Sequence, residues 1–241
     1  MNIILWGLIC FILVYEPMIG YWLYQRFKMR VITDPSIRLR YYHILMIGLW
    51  LSTLMILIVI ANFKLTLKDI LITVPNINTE ILGTVITYIV IGIVILYTLL
   101  LLYYVIGYFI SDHVKNQLIF MKQKQVEQIT FTEILPVTKR EKSTWNQVAW
   151  TAGITEEMIY RGFLIFSFTT LFPEWSIWLV LLCSSILFGL AHTYQGLSGV
   201  IRTTVFGFVF GMLAVALNSI IPLILLHTLI DYVGKLGNID E

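Results

Sequence analysis

Long apolar runs separated by short polar stretches dominate the pattern along this chain. A helix needs about 20 apolar residues to cross the ~30 Å hydrocarbon core of a bilayer, so each run of that length predicts a membrane-spanning helix. Seven such segments are predicted, at residues 2–24, 41–61, 82–110, 144–168, 176–194, 199–217 and 219–236. Residues 63–78 are shorter and carry interspersed lysines, which favours an interfacial segment. The pattern therefore predicts an all-α fold, a polytopic membrane helix bundle with about seven transmembrane helices.

Composition supports this class. Hydrophobic residues make up 59% of the chain and charged residues 12%, whereas soluble proteins average about 45–50% and about 25%. The two cysteines, Cys10 and Cys183, both lie in apolar runs, so we predict free thiols and no disulfide.

Positive charge is unevenly distributed between the loops. The loop after the first segment has five Lys or Arg residues, and the loop before the fourth has six. The opposite side has only Lys64 and Lys68. Because loops rich in Lys and Arg stay in the cytoplasm, we predict a multi-pass cell-membrane protein with its N-terminus outside and its C-terminus cytoplasmic.

Three charged residues interrupt the fourth apolar segment: Glu156, Glu157 and Arg161. Each charge near the bilayer centre costs at least ~2.5–3.5 kcal/mol, so the cluster indicates a function. Glu157 and Arg161 are four residues apart and share a helix face. We interpret Arg161 as the partner of Glu157, which leaves Glu156 free to act on water. The alternative for this pair is a buried ion pair that only fixes helix packing.

Two later apolar segments carry histidines. One contains Phe188 and His192, and the other contains His227 and Asp231, again four residues apart. An interhelical hydrogen bond would explain His192 alone, and a helix-end hydrogen bond would explain His227 with Asp231. Both histidines, however, follow the Glu-Glu helix on separate helices. Together these residues predict an intramembrane catalytic site. Residues 1–140 would then supply N-terminal transmembrane helices and basic loops, and residues 141–241 the catalytic helical core.

Other intramembrane protease signatures fit less well. Neither His-Glu-x-x-His nor Gly-x-Gly-Asp occurs in the sequence. Ser198, within Gly-Leu-Ser-Gly, resembles the nucleophile motif of rhomboid serine proteases, with His227 as its base. That alternative leaves the Glu-Glu-Arg cluster without a task, so we interpret Ser198 as a turn and helix N-cap.

Two further features concern helix geometry. The Glu16-Pro17 pair in the first segment predicts a kink with a paired or water-facing carboxylate. Gly207 and Gly211, spaced four residues apart, form a small face that allows close approach of another helix.

The three motifs resemble the CPBP family, the CAAX proteases and bacteriocin-processing enzymes also called the Abi family. Its pattern Glu-Glu-x-x-x-Arg, Phe-x-x-x-His and His-x-x-x-Asn/Asp is matched over about residues 144–236. The resemblance implies catalytic roles for Glu156, Glu157, His192, His227 and Asp231, with Arg161 and Phe188 supporting the site. Glu156 and His192 would activate water, and His227 with residue 231 would stabilise the oxyanion or complete the polar site.

Asp231 departs from the asparagine of the prenyl-protein proteases. An ionised aspartate donates no hydrogen bond, so here it would orient His227 or favour a metal site. No cofactor is specified, because the resemblance fits either a metal-free site or a divalent metal such as zinc. A bound metal would have Glu156, His192 and His227 as ligands.

We therefore predict an intramembrane endopeptidase, a glutamate-dependent protease or metalloprotease. Its substrate would be a small peptide or a membrane-anchored protein, as in bacteriocin or quorum-peptide maturation or CAAX-like processing. The alternatives are a non-catalytic immunity or scaffold protein of the same fold, and a transporter or channel that uses its buried charges for protons. We expect the protein to be embedded in the lipid bilayer and to bind no nucleic acid. The sequence predicts no particular oligomeric state.

Overall fold

The computed structural model describes residues 1–126 and 131–237. Within these residues all regular secondary structure is helical and there are no strands, which confirms the all-α prediction. The helices are α1 (Asn2–Val31), α2 (Ile37–Asn62), α3 (Thr84–Ile110), α4 (Asp112–Val126), α5 (139–171), α6 (Ile177–Ala191), α7 (Gly196–Leu217) and α8 (Ile221–Gly234).

Seven of these helices coincide with the predicted apolar segments. By length and composition, α1, α2 and α3 can cross a membrane, and so can α7 together with the turn before it, as Thr193–Leu217. Helices α6 and α8 are also apolar but shorter, and α5 carries the charged cluster. Many apolar side chains of α3 are exposed, as a lipid-facing helix requires. The chain is thus a helical membrane protein.

Two helices contain a wide, π-helical turn. In α1 the turn covers Tyr15–Gly20, and in α5 it covers Glu157–Leu164. Pro17 lacks a backbone N–H, so it cannot complete the regular hydrogen-bonding ladder of α1. Wide turns of this kind occur frequently at functional sites. Both turns here carry or adjoin an acidic residue that faces the interior of the bundle.

The predicted interfacial segment forms no long helix. A single turn, Leu67–Ile70, is followed by extended chain that packs on the start of α8. Ser219 Oγ donates to the Thr73 carbonyl oxygen at 2.6 Å, and the Ile220 N–H donates to the Leu71 carbonyl oxygen at 2.9 Å. The segment therefore closes one end of the bundle.

The first half of the chain also contacts α5, at the opposite end of the bundle. Arg38 donates to Glu141 at 3.0 Å, and the backbone N–H groups of Val137 and Thr138 donate to the second oxygen of the same carboxylate. Burial alone would raise the pKa of Glu141, but these hydrogen bonds outweigh it, and its pKa lies below the usual value. The start of α5 is thereby fixed against α2.

Candidate active site

An ion pair lies in the interior of α5. Arg161 Nη1 is 2.8 Å from Glu157 Oε1, and the two side chains are 2% and 0% exposed. The spacing of four residues predicts this contact, and the structure contains it. A charge buried so completely is retained only when it is paired, so the two residues stabilise each other in the bundle.

Aromatic rings cover the Arg161 guanidinium. Its central carbon lies 4.1 Å from the ring centroid of Phe188 and 5.2 Å from that of Phe210. A guanidinium over an aromatic face is attracted by the negative face of the ring. Phe188 also packs against the ring of His192, with the centroids 4.7 Å apart. The phenylalanine of the second motif therefore connects the ion pair to a histidine.

His227 on α8 sits among three carboxyl groups. Its Nδ1 is 2.7 Å from Glu157 Oε1, and its Nε2 is 3.8 Å from both Glu156 and Asp231. A carboxylate only accepts hydrogen bonds, so Nδ1 carries a proton and donates to Glu157. This bond fixes the imidazole and directs Nε2 toward Glu156 and Asp231.

Glu156 extends into a cavity. Its Oε2 is buried, and no described residue hydrogen-bonds to it. The cavity has a volume of about 100 Å³, and it is lined by Glu156 together with His192. A water molecule occupies about 30 Å³ of liquid, so the cavity has room for a few water molecules beside the carboxylate.

His192 ends α6 at the wall of this cavity. Its Nδ1 is 2.9 Å from the carbonyl oxygen of Phe188. The carbonyl is an acceptor only, so Nδ1 is the protonated nitrogen and Nε2 of the neutral ring keeps a free lone pair. His192 can therefore accept a hydrogen bond from a water molecule in the cavity.

The structure thus brings together the residues of all three motifs. One contact network contains Glu157, Arg161, His227 and Asp231. Glu156 connects this network to the cavity that His192 lines. Their chemical roles stay predictions. The N-cap interpretation of Ser198 is wrong, because α7 begins at Gly196 with Gln195 as its cap. Ser198 lies exposed in the first turn of that helix.

Residues from the first half of the chain complete the cavity, and the motif analysis did not assign them to the site. Glu16 of α1 lines the cavity, and its Oε2 accepts a hydrogen bond from the Tyr160 hydroxyl. Tyr194 lines it as well. A carboxylate inside an apolar segment was a visible signal for Glu16, but a single sequence does not show which helix it faces.

A metal does not fit the side chains as they are arranged. Among residues 1–126 and 131–237, no group of three His, Cys, Asp or Glu side chains converges as a metal site requires. His227 uses Nδ1 for Glu157, and its Nε2 is 3.8 Å from the nearest Glu156 oxygen. A zinc site needs three or four ligand atoms directed at a single point. We therefore derive no reaction step through a metal.

Comparison with known proteins gives one finding. Residues 143–233 match the family model described as type II CAAX prenyl endopeptidase, Rce1-like. The matched segment contains all three motifs and begins at the predicted catalytic core. No curated protein and no solved structure matches the chain.

Proposed function

We propose that this membrane protein is an intramembrane endopeptidase whose Glu156 and His192 activate the hydrolytic water. The match of residues 143–233 to the Rce1-like CAAX prenyl endopeptidase model supports this proposal. The substrate is a small peptide or a membrane-associated protein. The observation that carries the proposal is the shared cavity. Two side chains that can accept a hydrogen bond from water, on different helices, line one small space inside the bundle.

Glu156 is the general base in this mechanism. Its Oε2 has no partner among the described residues, so it is free to take a proton from water. His192 Nε2 accepts the second hydrogen of the same water and orients its lone pair toward the substrate carbonyl. A positioned general base contributes about 10²–10⁴-fold to a rate.

His227 supplies the hydrogen bond to the oxyanion. With Nδ1 held by Glu157, a protonated His227 presents its Nε2–H beside Glu156, where the water attacks. Asp231, 3.8 Å from that nitrogen, favours the positive charge of the ring, because it carries the opposite charge when ionised. Arg161 and Glu157 have a supporting role, since they fix the position of His227.

The cavity favours an apolar substrate group. Besides its polar residues, the cavity is lined by aliphatic side chains of α1 and α2, namely Leu23, Ile44, Leu45 and Leu49. Such a wall suits an aliphatic side chain or a lipid chain next to the scissile bond. A prenylated CAAX terminus and a hydrophobic bacteriocin or quorum peptide both have this chemistry.

The protein would act in the cell membrane with its N-terminus outside and its C-terminus in the cytoplasm. Two basic loops, one before α2 and one after α3, support this orientation. Substrate would then reach the end of α6, where His192 lies, from the cytoplasmic side.

The test uses purified protein in detergent with three internally quenched peptides. One ends in a prenylated CAAX sequence, one is the same peptide without the prenyl group, and one is a hydrophobic peptide without that terminus. We expect wild type to cleave at least one of them, and Glu156→Ala and His192→Ala to lower kcat at least about 10²-fold. Glu174→Ala, an exposed carboxylate between α5 and α6, is the control.

A chelator arm tests the metal requirement. Cleavage that survives chelation supports the metal-free mechanism. Cleavage that is lost on chelation and restored by zinc would mean that the site rearranges to bind a metal. Full activity of Glu156→Ala would refute the proposed mechanism. A folded wild type that cleaves none of the peptides would favour the non-catalytic immunity or scaffold protein.

A further inference from the structure

Glu16 is a partly buried residue in the wide turn of α1, far outside the segment that the family comparison matches. It lines the same cavity as Glu156 and His192. Its Oε1 is buried, and no described residue donates a hydrogen bond to it. A buried oxygen without a partner is costly, so one at a reaction cavity indicates a ligand or a chemical task.

Two contacts hold Glu16 in this position. The Tyr160 hydroxyl donates to its other oxygen, Oε2, and Tyr160 lies four residues after Glu156 on α5. The Thr193 hydroxyl donates to the carbonyl oxygen of Pro17 at 3.2 Å, and Thr193 directly follows His192. The turn that carries Glu16 is therefore tied to both helices that carry the water-activating residues.

Peptide hydrolysis requires a proton donor as well as a base, because an amide nitrogen leaves as an amine only after it is protonated. Glu156 accepts the proton of the water in the proposed function, and His192 has no proton on the nitrogen that is free. Two ionised carboxylates beside one small apolar cavity would repel each other, so such a pair retains a proton. Glu156 lies 3.8 Å from His227 Nε2, and a protonated His227 favours the ionised form of that carboxylate. Glu16 has only the neutral Tyr160 hydroxyl as its partner, so Glu16 is the member of the pair that keeps the proton.

Building on the proposed function, we propose that Glu16 is a catalytic residue, the general acid that protonates the departing amine of the scissile peptide bond. The water oxygen bonds to the carbonyl carbon while the water proton moves to Glu156. The carbon–nitrogen bond then breaks, its electron pair stays on nitrogen, and nitrogen takes the proton of Glu16. After the products leave, the proton on Glu156 passes to Glu16 through cavity water, and the cycle closes.

The experiment compares peptide and ester cleavage. The probes are whichever quenched peptide the wild type cleaves and its analogue with an ester oxygen in place of the scissile N–H. An ester releases an alkoxide-type leaving group that depends less on a proton donor. We expect Glu16→Gln to lower kcat on the peptide at least about 10²-fold with KM nearly unchanged, and to lower ester cleavage less than about 10-fold.

Glu174→Gln, the same change at an exposed position, should leave both rates unchanged. Glu156→Gln should lower both rates alike, since both reactions need activated water. Tyr160→Phe, which keeps the ring but loses the hydroxyl that holds Glu16, should show the same peptide-selective loss to a smaller extent. It supplies the test if Glu16→Gln does not fold.

A second measurement does not depend on turnover. The infrared spectrum of the wild type should contain the carbonyl band of a protonated carboxyl group that Glu16→Gln lacks and Glu174→Gln keeps. Unchanged peptide cleavage by Glu16→Gln, equal losses on peptide and ester, or an unchanged infrared band would overturn the role of Glu16 and leave the proposed function intact. A wild type that cleaves neither probe would refute the proposed function itself.

Discussion

The charges around His227 belong to a network that spans α5 and α8. Glu157 accepts hydrogen bonds from both Arg161 and His227 with the same oxygen, Oε1. Glu156 and Asp231 lie 3.8 Å from the other ring nitrogen of His227. The two carboxylates of the Glu-Glu pair therefore differ in surroundings: Glu157 is fixed by two donors, whereas Glu156 is left to face the cavity.

This difference predicts different effects of removing each part. Arg161→Ala leaves Glu157 buried without its guanidinium, and breaking a buried pair costs about 3–5 kcal/mol. We expect the variant to have a clearly lower melting temperature in detergent than Glu156→Gln, which removes a charge without a hydrogen-bonding partner among the described residues. Melting of Arg161→Ala at the wild-type temperature, together with loss of activity, would instead make Arg161 a substrate-contacting residue.

At the scale of elements, α6 and α7 pack closely against each other in the site region. A Cβ at Gly207 would lie 3.0 Å from Phe188 Cδ1, and one at Gly211 would lie 3.1 Å from Leu181 Cδ2. The spacing of these two glycines predicts a close approach, and the partner is α6. Close packing of α7 keeps Phe188 against Arg161, and so the helix contact supports the site.

Gly189 tests this packing. A Cβ there would overlap the Thr204 hydroxyl and lie 2.8 Å from the Val200 carbonyl oxygen. Because backbone has to move, we expect Gly189→Ala to destabilise the protein by about 1–3 kcal/mol and to lower activity. Gly92→Ala in α3, where a Cβ would meet nothing within 4 Å, should be neutral or stabilising, because alanine favours a helix. Melting temperatures in detergent check both, and equal melting would contradict the close contact.

At the scale of the whole molecule, apolar run length predicts the membrane helices, because the bilayer demands continuous helices of a minimum length. The same argument gives no signal for α4, a polar helix that packs by tertiary contact. Val114 lies against Gly107, and the Lys122 amino group donates to the Gly234 carbonyl oxygen at 2.8 Å. Motif spacing likewise predicts the contact of Glu157 with Arg161 on one helix.

The contribution of α1 to the site could not be predicted in the same way. Glu16 and Tyr160 are 144 positions apart in the chain, and their contact depends on how α1 packs against α5. Neither helical periodicity nor the motifs of the second half specify that packing. The division at residue 140 stays a prediction, although the cavity takes wall residues from both sides of that boundary.

The orientation of the chain in the membrane also belongs to this scale. If the basic loops are cytoplasmic, Lys68 lies outside and Lys139 inside; both side chains are exposed. With Cys10 and Cys183 replaced by serine, a membrane-impermeant thiol reagent should label Lys68→Cys in intact cells and Lys139→Cys only after the cells are opened. Labelling of Lys139→Cys in intact cells would reverse the proposed orientation.

The central claim, that Glu156 activates water to hydrolyse a peptide bond, is tested most directly by product mass analysis in heavy-oxygen water. Purified wild type should cut the peptide at one bond, and the newly formed carboxyl group should carry one heavy oxygen. Glu156→Gln, folded to the same melting temperature, should yield at least about 10²-fold less product in the same time. Equal product from Glu156→Gln, or no cleavage by the folded wild type, would contradict the account.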